Sequence, residues 1–210
     1  AENGTDWENS YTDLQSALYR AKNSSCAEAF TIYVAQGSYS PGDSEEDTFQ
    51  LLENVSLYGG FSSGGCDFNE RNPKKYITTL TGRIDEASQN EKVVTITEDN
   101  VLLDGFTITQ AAEYGVYAVD ADVSLIKWCN VTDNLQGIHH QGEGFALNIE
   151  NCRISDNAGF AAECTGSVLN IINSIVTENG FDTEQNAGIK IVNPVSSPVL
   201  RNITFAYNPG

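Results

Sequence analysis

The chain has 210 residues, of which 29 are acidic and 11 basic, giving a formal net charge of −18. That balance excludes the electrostatic attraction that nucleic-acid binding and anionic-membrane binding rely on, and it fits a surface protein or a cation binder. No apolar run approaches the roughly 20 residues that a membrane-spanning helix needs, so no membrane insertion is expected.

The first predicted element is a short helix. Thr12 or Asp13 can cap it, and Leu14, Ala17, Leu18 and Ala21 fall at i, i+3, i+4 and i+7 on one apolar stripe. Alternating runs then predict strands over 31–35, 49–52 and 55–58, with a turn at Gln36-Gly37. Between them, after Pro41-Gly42, lies the acidic loop Asp43-Ser-Glu-Glu-Asp47. Residues 1–100 do not repeat cleanly and are read as a helical cap with the first irregular coils. Such a cap is what a stacked fold needs to close its N-terminal end.

From residue 101 onward the chain repeats. Ile108, Val131, Ile154, Val176 and Phe205 recur at steps of 23, 23, 22 and 29 residues. The segments FTIT, CNVTDN, CRISDN, SIVTEN and ITFAYN surround them. A period of 20–30 residues means stacked units. The units alternate with period 2, so they are strands rather than helices, and the leucine-rich-repeat pattern is missing. A second run in each unit opens with Gly115, Gly137, Gly159 and Gly188, and a third precedes the next repeat. Three short strands per turn of about 22 residues describe an all-β, right-handed parallel β-helix over 101–210, with a short α-helical cap before it.

The predicted inward columns are Leu103/Ile126/Ile149/Ile171/Leu200, Phe106/Cys129/Cys152/Ser174/Ile203 and Val116/Ile138/Phe160/Ile189. Asn134, Asn157, Asn179 and Asn208 form an expected turn ladder, and Asn151, Asn173 and Asn202 another. Asp104, Lys127 and Glu150 are expected to form an outward ladder of alternating sign. Asn208-Pro-Gly falls on the turn ladder with no capping element after it. The expectation is that further coils, a partner, or a second copy cover this open end.

The N-terminal half carries a resemblance. The runs are Trp7-x-x-x-Tyr11-x-x-Leu14-Gln15-x-Ala17-Leu18, Ile32-Tyr33-Val34-Ala35-x-Gly37-Ser38-Tyr39, Val55-Ser-Leu-Tyr58-Gly59-Gly60-Phe61, Leu80-Thr-Gly82 and Leu103-Asp104-Gly105-Phe106-Thr107-Ile108. In this order they resemble secreted right-handed β-helix proteins of bacterial cell surfaces, found in Bacteroidetes-like and planctomycete-like lineages. The resemblance implies a piece of a large surface protein with a C-terminal sorting domain. More distantly the coils look like those of pectate lyases and other polysaccharide-processing β-helix enzymes, an analogy of fold alone. The absence of Met, even at position 1, fits a chain starting after a removed signal peptide or within a fragment.

Five cysteines leave at least one unbridged within the chain. Cys26 and Cys66 both fall in the irregular cap, and a secreted protein is expected to join them. Cys129 and Cys152 share an inward column and read as stacked buried thiols, with Cys164 the odd one at a strand end. CxxC is absent, so no zinc site is expected.

Candidate chemistry is sparse. His139 and His140 are the only histidines. Alternation puts His139 outside and His140 inside, between Ala118 and Ala162. Tyr117, His139, Glu163 and Lys190 could line one outer face with Lys127 and Arg153, and these six are the carbohydrate-binding candidates. A lyase would need a cation or Lys/Arg to acidify a proton and a base to remove it. A hydrolase would need several aspartates around one cleft, and no such triplet is evident. Calcium is the one cofactor with candidate ligands, Asp43, Glu45, Glu46 and Asp47, although neither EF-hand nor nonapeptide spacing is present. No other cofactor is expected. The expected function is a non-catalytic structural or adhesive module of a secreted cell-surface protein, meeting surface polysaccharide or protein. The alternative is a polysaccharide-binding or polysaccharide-cleaving module.

Overall fold

A run such as Thr107-Ile108-Thr109 has one apolar side chain between two polar ones, so it can bury one face only. The computed structural model, which describes residues 3–23, 29–181 and 188–208, satisfies that demand by winding every such run around one axis. Three parallel sheets result. The first stacks Phe30–Ala35, Val55–Phe61, Leu102–Asp104, Ser124–Lys127, Ala146–Glu150, Val168–Ile172 and Leu200–Arg201. The second stacks Gly37–Tyr39, Thr78–Thr81, Thr107–Thr109, Asn130–Thr132, Arg153–Ser155, Ile175–Thr177 and Thr204–Ala206. The third runs from Phe49–Leu51 through Lys92–Ile96, Tyr114–Val119, Gln136–Gln141 and Ala162–Thr165 to Ile189–Val192. The fold is a parallel β-solenoid of about 7 turns with one short N-terminal helix.

The inward columns become the core. Ile32, Leu57, Leu103, Ile126, Ile149, Ile171 and Leu200 lie in one register. Leu80, Ile108, Val131, Ile154, Val176 and Phe205 lie in another. Ile108, Val131, Ile154 and Val176 are completely buried, whereas Phe205 in the last coil is 51% exposed. Residues 30–100, expected to be irregular, supply two strands to each sheet in the same register. Their repeat is hidden because residues 62–77 and 82–91 loop out between strands and lengthen the spacing.

The third column departs from its expected register. Ala162, not Phe160, pairs with Ile138. The step from Ile138 to Ala162 is 24 residues against 22 from Val116 to Ile138, which leaves Phe160 ahead of the column at a partly exposed position. His140 consequently lies between Ala118 and Cys164 rather than beside Ala162. Cys164, expected at a strand end, is a fully buried inward residue.

Corners hold the coils in phase. Asn157 Nδ2 donates to Val131 O, to Ser155 O and to Asn179 Oδ1 (3.1, 3.1 and 2.8 Å). Its own Oδ1 accepts from the backbone N–H and the Nδ2 of Asn134. Asn134 and Asn179 repeat the pattern, and Asn208 ends it, so no polar group of the side chain is idle in a buried corner. A second corner takes positive φ at Gly105, Trp128, Asn151, Asn173 and Asn202. Asn suits this left-handed region, whereas Trp128 (φ 52°) pays a conformational cost there.

The N-terminal end is covered by α1, Leu14–Lys22. Asp13 Oδ1 accepts from Ser16 N at 2.7 Å as its N-cap. Leu14 and Leu18 are buried, and Gln15 Nε2 donates to Pro41 O and Thr48 O. Cys26 lies outside the described residues, but its expected partner Cys66 is described and is a free thiol, so the expected Cys26–Cys66 bridge is not seen. Among the described residues no disulfide is seen, and Cys66, Cys129, Cys152 and Cys164 are free thiols. Cys129 N–H donates to Cys152 Sγ at 3.4 Å, the expected stack of thiols in one column.

Candidate functional site

The outer face of the third sheet carries one continuous ladder. Thr95, Tyr117, His139, Glu163 and Lys190 occupy successive coils in register. Alternation about the buried Val116 and Ile138 turns these side chains outward. The Tyr117 and His139 rings stack at 5.2 Å with planes 10° apart, and Tyr114 closes on His139 at 5.0 Å. His139 was expected outside; it is on the outer face yet only 8% exposed, because these rings cover it.

Glu163 and Lys190 bring opposite charges to adjacent rungs. Glu163 Oε1 accepts from Lys190 Nζ at 2.7 Å, and Glu163 Oε2 lies 3.6 Å from His139 Nδ1, which has no hydrogen-bond partner. Lys190 Nζ sits over the displaced Phe160 ring at 4.9 Å. Lys92 Nζ sits over Tyr117 at 5.3 Å and pairs with Glu91 and Glu113 at 3.1 and 3.7 Å. Burial pushes the Lys92 ammonium down, but its hydrogen bond to Glu91 and the nearby carboxylates outweigh this and hold it above its ordinary value. Burial, followed by the charges of Glu113 and Glu163, raises the Tyr114 phenol. Both groups therefore keep their protons at neutral pH, and neither is a ready base.

Lys127 and Arg153 are not brought to this face. Lys127 stands in the first sheet, between Asp104 and Glu150, and Arg153 in the second, beside Asn130 and Ile175. Arg153 Nη2 is held by Glu178 at 3.2 Å. Three sheets give three outward surfaces, so the six carbohydrate candidates do not form one. The expected Asp104–Lys127–Glu150 ladder stands in register, but its first member makes its ion pair elsewhere. Asp104 is 6% exposed and bonds Arg71, whose Nη2 reaches both its carboxylate (2.5 Å) and its carbonyl oxygen (2.8 Å). Arg71 comes from the excursion at 62–77, and no spacing in the sequence announces its partner.

That excursion builds a second cluster. Arg71 also donates through Nε to Gly59 O. Its guanidinium carbon lies 5.4 Å from the Tyr58 ring centroid and 6.0 Å from those of Phe61 and Phe68. Trp7 and Tyr33 join the same group of rings. Tyr33 and Tyr58 share an outward register position, which their alternation with Ile32, Val34 and Leu57 could have revealed.

The acidic loop does not surround a point. Asp47 Oδ2 accepts from Ser44 N at 2.9 Å, Glu91 N donates to Glu45 O at 2.7 Å, and Asp43, Glu45 and Glu46 face solvent. Among the described residues no three His, Cys, Asp or Glu side chains converge as metal ligands. Inside the coils His140 is fully buried. Its Nε2 lies 2.6 Å from Ser167 Oγ, and Ser167 donates onward to Phe145 O at 2.7 Å. With the serine proton directed to the carbonyl, Nε2–H is the donor to Oγ. Burial holds the imidazole below its ordinary pKa and therefore neutral, and the same cause raises the Cys152 and Cys164 thiols.

Among the described residues no helix is long and apolar enough to cross a membrane. No curated protein and no solved structure matches the chain. The family model described as the right-handed β-helix region matches residues 47–206. That match covers most of the chain, and the coils from the Phe49 strand to the Phe205 strand are the ones it spans, so the chain belongs to the right-handed β-helix family.

Proposed function

We propose that the protein is a non-catalytic structural or adhesive β-helix module of a secreted cell-surface protein, meeting surface polysaccharide or protein. The observation that supports this reading is the state of the third-sheet ladder. Glu163 and Lys190 neutralise each other between adjacent rungs, and Lys92 beside the ladder is paired with Glu91 and Glu113. A ladder of this kind ties neighbouring coils together and holds the Glu163 carboxylate in an ion pair with Lys190. A second copy meeting the last coil is part of the same proposal, with Leu200 and Phe205, about half exposed, as its apolar contacts.

The second reading, a polysaccharide-binding or polysaccharide-cleaving module, is favoured by one feature, the Tyr114–Tyr117–His139 stack beside Glu163. Turnover assays on pectin, alginate and glycosaminoglycans, with and without calcium, separate the two. No turnover is expected. Reproducible cleavage abolished by Glu163→Gln or Lys190→Ala would replace the first reading with the second.

A further inference from the structure

The aromatic residues of the N-terminal motif runs take no part in the third-sheet ladder. Trp7, Tyr33, Tyr58 and Phe61 gather instead on the outer face of the first sheet, joined by Phe68 from the short turn Phe68–Glu70. Ring centroids are 4.9 Å apart for Tyr33–Phe61, 5.3 Å for Tyr58–Phe68 and 5.8 Å for Tyr33–Phe68. Phe61 is completely buried and anchors the group. Arg71 closes it from behind, with its charge met by Asp104. Tyr33 and Phe68 remain 46% and 47% exposed, and Trp7 and Tyr58 are partly exposed.

The polar tips of these rings are idle. The hydroxyls of Tyr33 and Tyr58 and the indole N–H of Trp7 form no hydrogen bond within the described residues and are not sealed from solvent. Tyr39 and Tyr76 differ, since their hydroxyls bond Ala35 O and Lys75 Nζ. The surface thus combines open ring faces with three unused donors, and the guanidinium behind it is paired with Asp104. Its rim is acidic, because Asp67 and Glu70 flank Phe68 and are exposed.

From this combination we infer that the Tyr33–Phe68 surface is a binding platform for a neutral glycan chain. A pyranose ring has C–H faces that lie against aromatic rings and a rim of hydroxyls that pairs with phenol and indole groups. An anionic glycan would meet Asp67, Glu70 and a net charge of −18, with the guanidinium of Arg71 already paired to Asp104. The proposal rests on the adhesive reading and names its ligand class.

The test is native electrophoresis of the whole chain through gels containing hydroxyethylcellulose, arabinoxylan or galactomannan, with polygalacturonate and alginate as anionic arms. Retardation by at least one neutral polymer is expected. Tyr33→Ala and Phe68→Ala should each weaken it about tenfold or more, and Tyr33→Phe less, because the ring stays while the hydroxyl goes. Trp128→Ala, an exposed ring at a corner elsewhere, should leave it unchanged. Thermal melts of each variant confirm that the fold is intact. No retardation by any neutral polymer would overturn the proposal, as would equal retardation by the polyuronates or indifference to Tyr33→Ala and Phe68→Ala. Loss confined to Tyr117→Ala would overturn this site while adhesion itself stands, and failure of the adhesive reading would be read separately from cleavage in the turnover assays.

Discussion

The coils of residues 30–100 and those of residues 101–208 have the same three-sheet section and are held in different ways. In the later coils one contact is repeated: Asn134, Asn157, Asn179 and Asn208 each satisfy the next. In the earlier coils the corners are interrupted by excursions, and a single clasp of Arg71 on Asp104, Gly59 and three rings secures them. A repeated contact spreads stability over many equivalent positions, whereas a clasp concentrates it in one side chain.

Arg71→Ala should break that contrast most severely. It removes the partner of a buried carboxylate and opens the ring cluster, a loss of about 3–5 kcal/mol. Chemical denaturation measures it. The wild-type midpoint in Arg71→Ala would refute the clasp, and hydrogen exchange should place the damage near Asp104 rather than beyond residue 125.

Asn157→Ala tests the repeated contact. It leaves Asn134 and Asn179 each short of a partner in a buried corner, costing about 1–3 kcal/mol. Adding Asn134→Ala should cost less than a second full increment, because the two share one hydrogen bond. Strict additivity in denaturation curves would mean that the ladder is not acting as a unit.

His140 probes the later coils through pH. Burial depresses its folded-state pKa below the ordinary value of 6.5. Its contribution is therefore fully present above that pH and is lost as the pH falls through the window below it, since the unfolded chain takes the proton more readily. Between about pH 7.5 and about pH 5.5, His140→Asn should lose less stability than the wild type. Equal losses would show that the buried imidazole does not report on the core.

The smallest effect is a gain. Val123 is β-branched, 60% exposed and held at φ 53°. Val123→Asn places a residue tolerant of the left-handed region there and should raise stability by about 1 kcal/mol. A lower melting temperature would show that the Val123 side chain has a packing role that outweighs its strain.

The fold was legible wherever one residue type recurs in register. Ile108, Val131, Ile154 and Val176 give the coil period directly, and the Asn134–Asn208 ladder gives a corner. Legibility failed where the chain inserts residues between strands. The step from Ile138 to its partner is 24 residues against 22 from Val116 to Ile138, which moved a column that simple alternation had placed on Phe160. The loops at 62–77 and 82–91 hid the early coils. The ladder of Tyr117, His139, Glu163 and Lys190 could be read because its members are one coil apart. Its separation from Lys127 and Arg153 could not, because outwardness alone does not say which of three faces a residue occupies. The Arg71–Asp104 pair spans 33 residues, joins a loop to a strand and follows no period.

The corners carry a consequence for how the molecule can change length. Gly105, Trp128, Asn151 and Asn173 recur at the same backbone conformation, with one whole coil between each and the next. Duplicating the segment from one corner to the next would restore every column, every sheet pairing and every corner bond. Removing two or three residues from a strand within that segment would shift that strand's column, whereas the turns between strands absorb such changes, as the 24-residue step from Ile138 to Ala162 shows. Within the strands, length change is therefore confined to whole coils, each adding the ~4.8 Å spacing between neighbouring strands, while the turns take the insertions and the clasped early coils have no equivalent unit to copy.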